Sequence, residues 1–301
     1  MKTDTLPLPD KRAVRRSFER AAGTYDDAAV LQREVCDRMF ERLDYIKLNP
    51  QHIIDLGCGT GYAAAKLLAR YAGAQVAGID ISPAMLRRAL QRNAAPGLLQ
   101  RLVGNKQRYR ALCADAEALP LAAGCAQMVF SNLTLQWCDA TRVFAEAQRV
   151  LAPGGLLMFS TFGPDTLKEL REVFSALDKH AHVNAFIDMH DIGDQLVHAG
   201  FGDPVMDMEI ITLTYTDLKF LMHELKAIGA HNVMPGRRAG LMWKDAWQRI
   251  VFGYEKYRHA ARLPATFEVV YGHAWKALQA PRKLEDGRQV VEFRTYPKSN
   301  P

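Results

Sequence analysis

The chain has 301 residues, of which 49% are hydrophobic and 24% charged, and its formal net charge is +6. This balance is ordinary for a soluble globular protein. No apolar run approaches the roughly 20 residues that span a bilayer, and the N-terminal stretch lacks the apolar core of a secretory signal. The positive charge favours an acidic partner. The basic residues are dispersed and lack interleaved aromatics, so we expect no nucleic-acid partner.

The five cysteines form an odd, scattered set. They make no CxxC pair, and no histidine cluster accompanies them at the spacing of a metal site. Such usage indicates reduced thiols, so the sequence predicts a cytoplasmic protein without a bound metal.

Two helices are predicted before residue 49. Val14 and Phe18 lie four residues apart in the first, over 10–22, and apolar residues continue at helical spacing from about 27 to 43. Asn49-Pro50 then breaks the pattern. We expect residues 1–48 to form an N-terminal helical cap or lid.

Strands and helices alternate over the next 110 or so residues. Continuous apolar runs of this kind are typical of a parallel sheet that is buried on both faces. Strands are predicted at 52–56, 75–80, 109–114, 126–132 and 156–162, and helices at 60–71, from Ser82-Pro83 onward and around 139–151. A turn is predicted at "APGG", residues 152–155.

The remainder of the chain adds two strands and several helices to this sheet. Helices are predicted at 166–177 and 188–199, a sixth strand at 205–215, a helical block at 217–262 and a last strand at 266–277. We expect one domain over 49–280, with 217–262 inserted over the active site and a loose charged tail at 281–301.

The stretch "DLGCGTG" lies at the first strand end and contains Gly57, Gly59 and Gly61. A glycine-rich turn between a strand and a helix lets a ligand approach the backbone. A phosphate loop requires a Lys-Ser/Thr pair, and a dinucleotide loop requires GxGxxG spacing. Neither is present here, and Asp55 would repel a phosphate.

Two further acids follow at successive strand ends. Asp80, after the second strand, is placed to accept from both hydroxyls of a ribose. Asp115, after the third, is placed to accept from the exocyclic amine of adenine. Each feature alone is also compatible with a simple turn or helix start. Together they predict an adenosine pocket without a diphosphate, which fits S-adenosylmethionine.

The segments "DLGCGTG", "GIDISPAML", "CADAEALPL", "FSNLTLQW" and "RVLAPGGLLMFSTFG" resemble the ordered motifs of class I S-adenosylmethionine-dependent methyltransferases over residues 51–163. The resemblance implies an α/β fold: a Rossmann-like seven-stranded class I methyltransferase sheet with an N-terminal helical lid and a helical insertion before the last strand. It also implies a cofactor wall at the strand ends. This wall comprises Asp55, Gly57, Gly59, Gly61, Asp80, Ile81, Asp115, Ala116 and Asn132.

The flanking segments are similar to the malonyl-acyl-carrier-protein O-methyltransferases of biotin synthesis. They include "SFERAAGTYDDAAVLQREV", "TFGPDTLKELR", "YTDLKFLMHELKAIGA" and "LPATFEVVYGHAWK". This resemblance implies methylation of the free carboxylate of a malonyl thioester and an acidic acyl-carrier protein as partner. Methyltransferase-fold assembly factors of respiratory complex I share several of these segments. An assembly factor, or a methyltransferase for a quinone or sterol ring, is therefore an alternative.

Methyl transfer to a carboxylate needs no general base, because the acid is already ionised at pH 7. It does need a cation that holds the carboxylate. Lys226, in "HELKAIGA", matches the family motif, and Arg237 follows with Arg238. Tyr25 lies in the segment that closes over the cofactor in this family. The histidines, His182 among them, have no partner that the sequence assigns, and we expect them to be structural.

Overall fold

The computed structural model describes residues 8–94, 108–178, 180, 182–233 and 243–278, and the backbone of 282–283 and 289–290. The α-helices within these ranges are α1 (Lys11–Ala21), α2 (Tyr25–Ala28), α3 (Val30–Leu43), α4 (Tyr62–Arg70), α5 (Pro83–Arg92), α6 (Ala140–Val150), α7 (Lys168–Ser175), α8 (Met189–His198), α9 (Leu218–Ala227) and α10 (Lys244–Tyr254). The strands are β1 (His52–Leu56), β2 (Gln75–Asp80), β3 (Tyr109–Cys113), β4 (Ala126–Ser131), β5 (Leu151–Phe162), β6 (Phe201–Tyr215), β7 (Leu263–Lys276), β8 (Arg282–Lys283) and β9 (Gln289–Val290).

Strands β1 to β7 form one seven-stranded sheet in the order β3-β2-β1-β4-β5-β7-β6. The first five strands run parallel, and β7 pairs antiparallel with both β5 and β6. Helices α3 and α4 contribute to the apolar core on one face, and α6 and α8 to the core on the other. The chain order reverses at β1 and β4, so their carboxyl ends open a crevice where ligands bind in sheets of this kind.

The second predicted helix of the N-terminal cap is interrupted at Ala29 in the structure. Instead of one helix over 27–43, the chain forms the short α2 and then α3, because Ala29 leaves the helical conformation with φ −81° and ψ 47°. Apolar spacing continues across this break, so periodicity does not reveal it. The break gives Tyr25 its own short helix, separate from α3.

The predicted turn at 152–155 lies within β5 rather than before it. Pairing with β4 jumps from Ala126 opposite Leu151 to Met128 opposite Leu156, and Gly154 adopts φ +75° inside the irregularity. Strand β5 therefore begins five residues earlier than the sequence predicts. A bulge of this kind re-aims a strand without ending it.

The N-terminal helices and the insertion meet each other. The hydroxyl of Thr24 donates to the carbonyl of Ala227 at 2.9 Å, and the N–H of Asp10 donates to the carbonyl of Val233 at 3.1 Å. Gly229, at φ +77°, lies so close to α1 that a Cβ there would be 3.2 Å from that of Ala21. We call this junction the roof seam.

Two expectations fall largely outside the described residues. They concern the part of the insertion at 234–242 and the tail, of which only the short β8–β9 pair is described. Of the helices in the described ranges, none is both long and apolar enough to cross a membrane.

Candidate active site

A cavity of about 510 Å³ opens at the carboxyl ends of β1 to β4. Its volume lies within the range of small-molecule sites, about 300–1,000 Å³. Its walls come from the strand ends, from α1 and α2 on one side, and from α9 and the segment after it on the other. The roof seam therefore spans the crevice that the sheet topology creates.

The three glycines of the loop differ in position: two line the cavity, and the third packs against a neighbouring helix. Gly57 and Gly59 line the cavity, whereas Gly61 does not. A Cβ on Gly59 would meet nothing within 4 Å, so its backbone faces open space, whereas one on Gly61 would lie 3.0 Å from the Cα of Ala89. All three have positive φ, which favours glycine. Gly61 thus allows α4 to begin close against α5, and its predicted contact with the cofactor stays a prediction.

Asp80 lies at the end of β2 and lines the cavity. One of its carboxylate oxygens accepts from the N–H of Gly59 at 3.0 Å, and the other accepts from the N–H of Ser82 at 2.8 Å. Burial raises the pKa of Asp80 to about 6, against the opposing effect of these backbone donors. The N–H of Ile81 is a third backbone donor to this carboxylate, and a carboxylate offers about four acceptor sites, so it keeps acceptor capacity for a ligand hydroxyl.

Asp55, at the end of β1, is 1% exposed. Its Oδ2 is buried without a hydrogen-bond partner among the described residues. Burial, together with the charge of Asp80, raises its pKa to about 7, although the N–H of Ala64 opposes this. A small pocket of about 40 Å³ next to the main cavity is lined by Asp55, Gly59 and Tyr25. An unpaired buried carboxylate beside a pocket suits a cationic ligand group.

Asp115, Ala116 and Ile81 line the cavity beyond Asp80, as predicted for an adenine pocket. One oxygen of Asp115 is already engaged, because Oδ1 accepts from the ammonium of Lys11 at 3.0 Å. Lys11 also lines the cavity. Sequence reasoning missed this residue, since nothing near it in the chain marks it as part of a site.

Asn132 follows β4 and touches both pockets. Its amide group donates to the carbonyl of Gln32 at 2.9 Å and accepts from the hydroxyl of Ser160 at 2.9 Å. These bonds fix it between α3 and β5. Tyr25 lines both pockets from α2, and burial raises the pKa of its hydroxyl above the ordinary value, so it stays protonated.

The far part of the cavity, which we call the chamber, has mostly apolar walls. They comprise Phe162, Leu167, Leu170, Phe174, Val183, Phe186, Leu213, Met222, Leu225 and Phe267. Two cavity-lining leucines, Leu133 and Leu167, have positive φ of 49° and 54°. Non-glycine residues in this conformation cost about 1–3 kcal/mol and concentrate at functional sites.

The polar side chains that line the cavity alongside these apolar walls include Lys226, His182, Glu224, Thr166 and Asn184. Lys226 lines it from the last turn of α9 and has no ion-pair partner within the described ranges. His182 also lines it; its Nε2 lies 2.8 Å from a carboxylate oxygen of Asp178, and its ring stacks on Phe174 at 4.4 Å. Sequence reasoning treated His182 as structural, because its partner and its cavity become visible only in the fold. Arg237 lies outside the described residues.

These observations test the fit of S-adenosylmethionine. The ammonium of the cofactor's amino acid end suits the unpaired Asp55, ribose hydroxyls suit Asp80, and the exposed backbone of Gly59 leaves room between them. A family profile described as "Methyltransferase domain" matches residues 54–159, which contain this whole wall. The fold and the site define a class I S-adenosylmethionine-dependent methyltransferase.

Comparison with similar proteins assigns the chain to one family within this class of methyltransferases. The chain is 55% identical over 289 residues to the malonyl-[acyl-carrier protein] O-methyltransferase of Laribacter hongkongensis, covering 95% of this chain and 97% of that one. It is 56% identical over 280 residues to the protein of the same name from Nitrosospira multiformis, covering 91% of each. The chain belongs to the malonyl-[acyl-carrier protein] O-methyltransferase family.

Solved structures agree on the fold. The [4+2]-cyclase SpnF superposes with a TM-score of 0.55 at 18% identity, covering 91% of this chain and 99% of that one. At this identity the likeness shows the fold alone. The reaction must therefore be argued from the family and the site.

Proposed function

We propose that the protein transfers a methyl group from S-adenosylmethionine to the free carboxylate of a malonyl thioester on acyl-carrier protein, giving the methyl ester at an early step of biotin synthesis. One observation carries this proposal: identity of 55% to a protein of that name extends over 95% of the chain. It thus includes the roof and the chamber, which lie outside the matched methyltransferase domain at 54–159.

The methyl transfer requires little proton transfer by side chains of the protein. When bound, the cofactor supplies a methyl group on a cationic sulfur; a carboxylate oxygen forms the new bond to carbon as the carbon–sulfur bond breaks. A malonyl carboxylate is ionised at neutral pH, since its ordinary pKa is near 4. The chamber's task is therefore alignment and the removal of water from the nucleophile. The apolar side chains around it suit both tasks.

The cofactor wall assigns one role to each acid. Asp80 would accept from the ribose hydroxyls, Asp115 from the adenine amine, and Asp55 would face the ammonium of the amino acid end. Tyr25, between the two pockets, would close this end from the α2 side. These roles follow from the free acceptor sites and the cavity positions of the side chains.

Lys226 is the proposed cation for the substrate carboxylate. It is exposed at the rim of the chamber and lacks a carboxylate partner among the described side chains, so its ammonium is available. Holding one carboxylate oxygen leaves the other to attack. His182, half-buried on the chamber wall, offers a second polar group to the thioester end. Arg237 stays a prediction.

The alternatives differ in what they require of the cavity. A protein side chain as substrate requires a wide cleft, whereas here the contacts of the roof seam bridge the crevice. Apolar walls would also suit a ring-bearing substrate, so the chamber alone does not distinguish such a substrate from a malonyl thioester. Identity of 55% and 56% to two malonyl-[acyl-carrier protein] enzymes, over 95% and 91% of this chain, favours the carboxylate. The net charge of +6 also suits an acidic carrier protein.

The test is methyl transfer to malonyl-acyl-carrier protein, followed by intact-mass spectrometry of the carrier. We expect the carrier to gain the mass of one methylene. Lys226→Met should raise KM for the carrier about tenfold or more, as expected when a charge-assisted hydrogen bond is lost, and leave cofactor affinity unchanged. Lys219→Met, on the exposed face of the same helix, is the matched control.

An unmodified carrier after full incubation would contradict the proposed substrate. If Lys226→Met behaves like Lys219→Met, the substrate stands but the assigned cation is wrong. Complementation of a bacterial strain that lacks this biotin step checks the same activity in cells.

A further inference from the structure

The ammonium group of Lys11 is saturated by three acceptors. Its Nζ lies 3.0 Å from Oδ1 of Asp115, 2.6 Å from Oε1 of Glu117 and 3.3 Å from Sγ of Cys138. A lysine ammonium has three N–H groups and no more. All three are used within the protein, so Lys11 has none left for a ligand, although it lines the cavity.

These contacts join three separate segments. Lys11 is the first residue of α1, Asp115 and Glu117 belong to the loop after β3, and Cys138 ends the short 3-10 turn at Leu135–Trp137. Burial opposes the charge, but the neighbouring Cys138, Glu117 and Asp115 raise the pKa of Lys11 above its ordinary value, so the group stays an ammonium. The position of α1 and the orientation of the Asp115 carboxylate thus depend on the same group.

The two oxygens of Asp115 are not equivalent. Oδ1 accepts from Lys11 and from the N–H of Glu117 at 3.0 Å, whereas Oδ2 has no hydrogen-bond partner among the residues described. We propose that Lys11 is a positioning residue that fixes Asp115 so that Oδ2 accepts from the 6-amino group of the cofactor's adenine, and that closure of α1 is thereby coupled to recognition of the base.

A fixed carboxylate at Asp115 should discriminate between purines by the group at position 6. A 6-amino group donates to a carboxylate, whereas a 6-oxo group places an acceptor against an acceptor. A fixed carboxylate therefore rejects hypoxanthine, and a carboxylate free to turn away rejects it less. Lys11 should consequently govern discrimination between the two bases as well as cofactor affinity.

The experiment measures binding of S-adenosylhomocysteine and of S-inosylhomocysteine by calorimetry, using the full chain. We expect the wild type to prefer the adenine ligand by at least about tenfold, as for one hydrogen bond to a charged group. Lys11→Met should bring this ratio close to one, and Lys11→Arg should retain part of it. Arg12→Met, an equal charge change on the exposed side of α1, should leave the ratio unchanged.

Loss of affinity for both ligands by the same factor would overturn the proposal, because Lys11 would then only hold the roof. An unchanged ratio would overturn it as well. Asp115→Asn tests the coupling from the other side and is informative even if Lys11→Met folds poorly. An amide presents either a donor or an acceptor, so the preference should disappear, and adding Lys11→Met should change the ratio no further. If the affinity ratio of the double variant differs from that of Asp115→Asn alone, Lys11 affects base recognition without acting through Asp115, and the proposal is wrong.

Discussion

We expect the buried carboxylate of Asp55 to lower the stability of the ligand-free protein. The same carboxylate is available to bind a cationic group of the ligand. In an unfolded chain the Asp55 carboxyl releases its proton near pH 4, whereas in the fold burial, aided by the charge of Asp80, raises the pKa from 3.8 to about 7. Between these values the folded state holds a proton that the unfolded state has released. Stability therefore falls as pH rises from about 4 to about 7, by about 4 kcal/mol at about 1.4 kcal/mol per pH unit.

Asp55→Asn removes this penalty while nearly preserving the side chain's shape. We expect the variant's free energy of unfolding to exceed that of the wild type by an amount that grows by about 3 kcal/mol between pH 5 and pH 8, because about two of the three pH units lie in that window. Urea unfolding monitored by circular dichroism at both pH values measures the difference. The same variant should bind S-adenosylmethionine more weakly, because the ligand's cation loses its counter-charge.

Asp27→Asn, which changes an exposed carboxylate on α2, is the matched control for the loss of one carboxylate. If the Asp55→Asn difference is constant between pH 5 and pH 8, the carboxyl does not titrate in that window. The account of Asp55 as a buried acid poised for a cation would then be wrong.

Two further predictions concern the glycine loop and its neighbour. Asp80→Ala removes the proposed acceptor for two ribose hydroxyls, so calorimetry should show S-adenosylhomocysteine binding at least about a hundredfold more weakly, and an unchanged affinity would refute the ribose assignment. Gly61→Ala should lower stability by about 1–3 kcal/mol, since its Cβ would lie 3.0 Å from Ala89, yet spare cofactor affinity. Gly59→Ala carries the strain of its positive φ as well, but its Cβ would enter the open space of the cavity, so this variant should also weaken cofactor binding; thermal melts with binding measured side by side separate the two.

The cofactor wall was predictable because it depends on a rule of topology. Carboxyl ends of parallel strands meet at one edge, so acids at or just after the ends of β1, β2 and β3 must converge. The strand bounds of β1 and β2 were predicted to the residue. The spacing of the glycines excluded phosphate loops, but it did not reveal that Gly61 faces α5 instead of the cavity.

Other parts of the site depend on contacts between distant segments. Lys11 meets Asp115 across 104 positions of the chain, and no local pattern encodes that meeting. His182 lies in a segment without regular periodicity, so neither its partner Asp178 nor its place on the chamber wall was predictable. The break at Ala29 was missed for the opposite reason, because the apolar pattern continues through it.

The roof seam has a consequence for the timing of the catalytic cycle. The contacts of Thr24 with Ala227 and of Asp10 with Val233 join the wall on the cofactor side to the wall on the substrate side. Exchange of the cofactor and exchange of the substrate are therefore expected to share one closure, so that opening for one should loosen the enclosure of the other. We expect turnover to depend on the opening of this roof as well as on the methyl transfer beneath it.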